Sequence, residues 1–247
     1  ETAVLRVLSD NLEAVDRGDV AALILLDLSA AFDTVDHDIL LQRLQLSFGI
    51  DGSAHRWFRS YLTDRSQFVR RGLLKSAVSR LLCGVPQGSV LGPILFVLYT
   101  ADLLSLVEDG GLLPHLYADD TQVYGSCRPS AVAAFSAKVT ECVDAVASWM
   151  KSNRLQLNSG KTEVLWCTTN RRQHQLPTTA LKIDGVPVPP VASVRDLGIY
   201  IDADLVMRTH VQRTVSRCFA ALRQLRQIRR CVSADTLQTL VVSLVLS

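Results

Sequence analysis

Two short apolar runs end in bare carboxylates, and no other feature of the chain narrows its fold so far. Leu23-Ile24-Leu25-Leu26 stops at Asp27, and Leu116-Tyr117-Ala118 stops at Asp119-Asp120. The nearly continuous apolar run Val20–Leu28 predicts a strand buried on both faces of a sheet. A carboxylate at the end of such a strand is costly unless it is paired or metal-bound. No Lys or Arg stands within five residues of Asp27 or Asp119, so a local ion pair is not expected. A cation shared between the two sites would remove the cost, and an all-oxygen set selects Mg²⁺ or Mn²⁺ over zinc. Asp is also a common turn residue, which leaves a capping role open at both sites.

Around these strands the apolar spacing alternates between helical and extended. Val4, Leu8, Leu12 and Val15 predict a helix over residues 3–16. Further helices are expected at Asp38–Phe48 and at Asp51–Leu62, the latter carrying Trp57, Phe58 and Tyr61. Asp36-His37-Asp38 reads as a helix N-cap rather than a ligand set. Ser66–Arg71 and Lys75–Leu82 read as a hairpin joined at Gly72. Val90–Val107 is expected to be a buried helix rather than a membrane span, because Gly92-Pro93 and Asp102 interrupt it. Leu112–Ala118 and Thr121–Tyr124 flank Asp119-Asp120 as strand, turn, strand. A long amphipathic helix follows over Ser130–Ser152, then strands at Thr162–Cys167 and Val194–Ile201, then a helix over His210–Arg230. The mixture lacks a regular βαβα rhythm, so the expected class is α+β.

Charge is divided along the chain. Residues 1–120 carry 16 acidic against 10 basic groups, and residues 121–247 carry 8 against 16. A cation-binding centre beside a polyanion-binding surface would produce that division. The near-neutral total excludes an all-over basic coat. Six cysteines without a Cys-x-x-Cys pair exclude a zinc module and point to a reduced, intracellular chain that is not secreted. The chain opens without Met and stops inside the apolar run Leu237–Leu246, so it reads as a piece of a larger protein.

Leu25-Leu26-Asp27-Leu28-Ser29-Ala30-Ala31-Phe32-Asp33 and Tyr117-Ala118-Asp119-Asp120 resemble the first and third palm motifs of reverse transcriptases. Between them, Gly84-Val85-Pro86-Gln87-Gly88-Ser89-Val90-Leu91-Gly92-Pro93 resembles the second. The flanks Thr34-Val35-Asp36-His37-Asp38 and Trp57-Phe58-Arg59-Ser60-Tyr61-Leu62 are similar to non-LTR (LINE-like) retrotransposon polymerases. Three ordered motifs with flanks are specific where Tyr-Ala-Asp-Asp alone would not be.

The resemblance implies a polymerase palm, an antiparallel sheet packed on helices, over residues 1–204 with a small fingers remnant at the N-terminus. A partial helical thumb over 205–247 would follow. It implies RNA-directed DNA polymerase activity on an RNA template and a DNA primer with dNTPs, without a membrane. Asp27, Asp119 and Asp120 would hold two Mg²⁺ ions, with Mn²⁺ as substitute, in a nucleus- or cytoplasm-based enzyme. Phe32 would exclude ribonucleotides by clash at the sugar 2′-position, although a core aromatic is the alternative there. Gln87 and Gly88 would face the incoming nucleotide, with Gly88 lacking a side chain so that backbone can approach. Leu155–Glu163 resembles the fourth motif, in which Lys161 would protonate the leaving pyrophosphate; a solvated surface lysine is the alternative. Gly160-Lys161-Thr162 imitates the end of a P-loop, but Leu155 stands where that motif needs Gly. Leu197-Gly198 falls in the fifth motif, the primer-gripping hairpin. Arg213 with Arg217, and Arg226 with Arg230, share helix faces by i,i+4 spacing and would meet template–primer phosphates. The other reading is a catalytically inactive or domesticated fragment that only binds nucleic acid.

Overall fold

The computed structural model describes residues 2–246, with side-chain surroundings for 4–245. The chain opens with α1 (Thr2–Asp16), β1 (Val20–Leu26), β2 (Leu28–Ser29), α2 (Ala31–Thr34), α3 (His37–Leu46) and α4 (Gly52–Leu62). Four two-residue strands make an exposed double hairpin: β3 (Ser66–Gln67), β4 (Arg70–Arg71), β5 (Leu74–Lys75) and β6 (Ser79–Arg80). Then come α5 (Leu91–Thr100), α6 (Asp102–Asp109), β7 (Leu113–Tyr117), β8 (Asp120–Cys127) and α7 (Val132–Ser152). The last part holds β9 (Gln156–Leu157), β10 (Glu163–Cys167), β11 (Leu181–Ile183), β12 (Val186–Val188), β13 (Ser193–Asp196), β14 (Ile199–Asp202), α8 (Arg208–Ile228) and α9 (Ala234–Val241). The α+β class holds.

Strands β10, β1, β8 and β7 form one antiparallel sheet in that order. β1 lies inside it and is buried on both faces, which is why its sequence does not alternate. Val20, Ala22, Ile24 and Leu26 face α5, α6 and α7 in the larger core, with Val123, Val164 and Trp166 from the neighbouring strands. Ala21 and Leu23 face the opposite way, toward Val4, Val7, Ala14 and Val15 of α1 and Val194 and Ile201 of the β13–β14 hairpin. Tyr124 anchors α1 by donating its hydroxyl to Asp10 Oδ2 at 2.7 Å.

On the larger-core side, Arg43 of α3 ties its own helix to three others. Its guanidinium stacks on Tyr99 and Trp149 at 5.1 and 5.2 Å and donates to Asn153 Oδ1 at 2.8 Å. It also pairs with Asp102 at 3.1 Å. Asp36 caps α3 by accepting from the Asp38 and Ile39 backbone N–H groups, as its sequence position predicts.

Three expectations need correction. The Val90–Val107 helix is two helices broken at Ala101, and only one side is covered: Leu95, Phe96, Tyr99, Leu103 and Val107 are buried while Ile94, Val97 and Leu104 are exposed. By length and composition alone Leu91–Asp109 is apolar enough to cross a membrane. Val194–Ile201 is not one strand but a hairpin turned at Leu197-Gly198, both with positive φ (44° and 91°). The C-terminal helix ends at Ile228, so Arg230 falls beyond it and shares no helix face with Arg226. Its apolar positions Val211, Val215, Phe219 and Leu222 are exposed, and Leu225 alone on α8 is buried.

Candidate active site

Register brings the two strand-end carboxylates together. β1 pairs with β8 so that Leu26 lies opposite Thr121. Asp27 directly follows Leu26 and Asp120 directly precedes Thr121, so the two carboxylates stand at adjoining ends of the paired strands and line one cleft. The hairpin β7–β8 closes with Tyr117 paired to Asp120, so the turn is Ala118-Asp119 and Asp120 opens the strand. Ala118 takes φ 54°, a left-handed conformation that costs a non-glycine residue roughly 1 kcal/mol.

Side chains two apart on a strand share a face. Asp120, Gln122 and Tyr124 therefore follow one another on the α1 side of the sheet, beside Leu25 and Leu23 on β1 and Glu163 and Leu165 on β10. The face is apolar under α1 and becomes polar where α1 no longer covers it. There a cleft of about 420 Å³ opens, with Asp27, Asp120, Gln122, Lys161, Glu163 and Asp196 in its wall. Asp119, on the hairpin tip, is outside that lining.

Asp120 is exposed at the cleft, yet the surrounding protein still desolvates its carboxyl and pushes its pKa above the usual carboxylate range. The negative charges of Asp119 and Asp27 push it further in the same direction. Opposing charge arrives from a distant segment. β9 pairs with β2, and the Asn158 N–H donates to the Asp27 carbonyl at 2.8 Å, which folds the following loop over the site. Lys161 Nζ then stands 3.4 Å from Asp27 Oδ2. Asp27 has no local ion-pair partner, as its sequence surroundings suggest; its partner is 134 positions away and the β2–β9 pairing delivers it. The contact is an ion pair without hydrogen-bond alignment, since Oδ2 is buried and accepts no hydrogen bond. Among the described residues no three His, Cys, Asp or Glu side chains converge closely enough to enclose a cation.

The remaining candidates lie elsewhere. Phe32 is half-buried with its ring 4.9 Å from Phe96, the contact of a core aromatic. Gln87 is exposed, donates to Asp33 Oδ1 at 3.2 Å, and lines a second cleft of about 610 Å³ with Asp33, Arg65, Arg80 and Gly84. Gly88 takes φ 77° with open space where a Cβ would be, so conformation and not close approach explains a glycine there. Close approach to the first motif is found instead at Gly84, which opens the second motif but carries no role of its own in the sequence pattern. A Cβ on Gly84 would meet the Asp33 Cα and carbonyl oxygen at 3.0 Å. His37 and Arg65 both reach the Gly84 carbonyl, at 2.8 and 2.9 Å, and the Val85 N–H donates to the Phe32 carbonyl. These bonds fix the second motif to the first.

Leu197 and Gly198 form the tip of the β13–β14 hairpin, and Leu197 lines the carboxylate cleft. Behind the tip, Asp196 is buried and accepts from Gln122 Nε2 at 2.5 Å. Neither residue stands out in the sequence, because a lone Asp or Gln in a strand carries no signal until its neighbours are known. Arg213 and Arg217 are exposed on α8, and Arg213 also stacks on Tyr200 at 5.7 Å. At 100° per residue Arg226 lies about 140° around the helix from Arg213, so the four arginines do not form one stripe.

The sequence pattern of the family described as "Reverse transcriptase (RNA-dependent DNA polymerase)" matches residues 5–201. Over 240 residues the chain is 30% identical to a probable RNA-directed DNA polymerase from transposon BS of Drosophila melanogaster, covering 95% of this chain and 26% of that protein. It is 28% identical over 211 residues to the RNA-directed DNA polymerase from mobile element jockey of the same organism, covering 83% and 22%. The chain therefore spans about a quarter of the length of these relatives. Among solved structures, telomerase from Candida tropicalis in complex with a TWJ fragment of telomeric RNA superposes with TM-score 0.60 at 14% identity. That alignment covers 98% of this chain and 40% of the other, a likeness of fold alone.

Proposed function

This chain belongs to the reverse transcriptase family, with retrotransposon polymerases among its relatives, and on that premise we propose that its own activity is to hold a nucleic-acid template–primer. The observation that carries this reading is the contrast between its two charged regions. The arginines of α8 stand in solvent with no acidic partner within ion-pair distance among the described residues. The cleft carboxylates, by contrast, are part-neutralised by Lys161 and do not close on one point. Guanidinium groups spread around a helix suit phosphates on a wrapping duplex, and such binding is independent of sequence and sensitive to salt. Residues 1–204 would form the palm and 205–247 the start of a thumb, with the Leu197-Gly198 tip against the primer end.

A second reading, RNA-directed DNA synthesis, has its own support: Asp27 and Asp120 stand at adjoining ends of paired strands, beside Asp119. In chemical kind, though not in convergence, the donors suit a hard divalent cation: all are carboxylate oxygens, and Asp27 Oδ2 is buried without a hydrogen-bond donor. Asp27, Asp119 and Asp120 would hold Mg²⁺ or Mn²⁺. When bound, the ions would lower the pKa of the attacking 3′-hydroxyl and offset charge on the leaving pyrophosphate. Lys161, within reach of the cleft, would then be free to give a proton to that leaving group. Phe32 would border the sugar, and Gln87 and Gly88 the base.

Two measurements on one preparation separate the readings. Fluorescence anisotropy with an RNA/DNA hybrid across a salt series tests binding. Primer extension on poly(rA)/oligo(dT) with Mg²⁺, wild type beside Asp119→Ala, tests synthesis. Salt-sensitive binding without extension supports the first reading. Extension that disappears in Asp119→Ala supports the second. A chain that neither binds nor extends contradicts both.

A further inference from the structure

Asp196 and Gln122 are joined at one corner and orphaned at the other. Gln122 Nε2 donates to Asp196 Oδ1 at 2.5 Å, while Gln122 Oε1 and Asp196 Oδ2 are both buried and accept no hydrogen bond. The residues are 1% and 3% exposed, so water does not make up the deficit at the surface. Buried acceptors left unpaired are costly, and two of them on one already bonded pair are best explained together. A single proton on Asp196 resolves both: Oδ2–H donates to Oε1 while Nε2–H donates to Oδ1.

We propose that Asp196 and Gln122 form a proton-dependent latch, carboxylic acid on carboxamide, that holds the β13–β14 hairpin against the strand carrying Asp120. Gln122 is two residues from Asp120 on the same face, and Asp196 directly precedes the Leu197-Gly198 tip. The latch therefore sets where the tip sits relative to the cleft. Asp196 acts as a positioning residue through this link. Its consequence for nucleic acid rests on the template–primer reading above; its consequence for stability does not.

The surroundings favour the neutral form. Burial raises the Asp196 carboxyl, the Gln122 N–H partly offsets this, and the charge of Asp120 adds to the rise, leaving it at about 6. Asp27 after β1, Asp120 on β8 and Glu163 on β10 line the same cleft with negative charge, against Lys161 in the loop and Arg195 on the latch's own strand. Glu163 is itself raised by burial and eased by the Arg195 backbone N–H. A folded-state value above the unfolded one means that folding takes up a proton between about pH 4 and 6. Stability from this group is complete below that window and lost as pH rises through it.

Asp196→Asn tests the latch because an amide donates from Nδ2 to Gln122 Oε1 permanently and carries no charge. Thermal unfolding of the chain should place Asp196→Asn about 5 °C above wild type near pH 7.5, with the gap narrowing through about pH 5 and closing toward about pH 4. Asp196→Ala should melt below wild type near pH 5, where wild type holds its latch closed. Anisotropy with an RNA/DNA hybrid should show wild-type affinity falling about threefold more than that of Asp196→Asn between those pH values. An Asp196→Asn chain that melts lower than wild type near pH 7.5, fails to fold, or shows a pH-independent gap overturns the latch whatever the binding shows. If the melting gap appears and no variant binds the hybrid, the latch stands and the template–primer reading falls. If both bind with the same pH response, the hairpin is not positioned by the latch.

Discussion

Replacing Lys161 by Met should make the cleft a better cation site, a result opposite to what removal of an active-site lysine ordinarily brings. The ammonium stands 3.4 Å from Asp27 Oδ2, with the Lys161 side chain 68% and the Asp27 side chain 34% exposed. Unscreened by protein, two unit charges at that distance in water attract by about 1 kcal/mol; at an effective dielectric of 20 the figure is about 5 kcal/mol. So exposed a lysine belongs near the lower end, where measured surface pairs fall, so about 1 kcal/mol is the working value. A divalent cation binding at Asp27 must displace this charge first. Removing it should tighten Mn²⁺ binding about fivefold, since roughly 1.4 kcal/mol corresponds to tenfold. Titration of Mn²⁺ followed by electron paramagnetic resonance of the free ion measures this without any catalysis. Asp27→Asn in the same experiment should weaken binding in both backgrounds and abolish the difference between them. High salt should shrink the gain, because exposed charges are screened. Unchanged or weaker Mn²⁺ binding in Lys161→Met would mean that the lysine and the cation do not compete for one oxygen.

Two other substitutions probe separate parts of the structure. Ala118→Gly removes the left-handed strain at the β7–β8 turn, where φ is 54°, and should raise the melting temperature by about 2–4 °C through roughly 1 kcal/mol; a lower melting temperature would show that the turn is not strained. Changing Arg213 and Arg217 together to Gln should reduce the slope of log affinity against log salt by about 0.9 for each of the two arginines that neutralises a phosphate, and so by about two if both do. An unaltered slope in the anisotropy series would mean that this face of α8 does not meet nucleic acid.

Much of the site was legible because its signals are local. An apolar run too continuous to alternate marks β1 as a strand with both faces covered, and its final Asp27 has to sit where the covering ends. The Asp-Asp pair after a second such run marks the hairpin. Helix ends were legible for the same reason: Asp36 caps α3 through N–H groups two and three residues away. What stayed hidden involves partners far apart in sequence. Lys161 reaches Asp27 only because β9 adds to β2, a two-residue pairing with no sequence signature of its own. Gly84 looks like one glycine among several in its loop, until α2 is found packed against the position of its missing Cβ. The outward face of α8 misleads for a different reason: helical periodicity reports that a helix has an apolar side, not that anything covers it.

Pattern along the chain was enough to settle its class, the order of most strands and helices, the carboxylates at the strand ends and the family to which their spacing belongs. These follow from backbone periodicity and from the cost of placing charge beside apolar residues, both of which act within a few positions. Packing in three dimensions was needed to select which carboxylates share a cleft, which cation neutralises them and which buried oxygens go without donors. Asp196 shows the difference plainly. Along the chain it is one acid in a short strand; in the fold it meets Gln122, 74 residues earlier, inside a buried wall. Desolvation depends on everything that surrounds a group, and sheet register, not sequence distance, sets what surrounds this one.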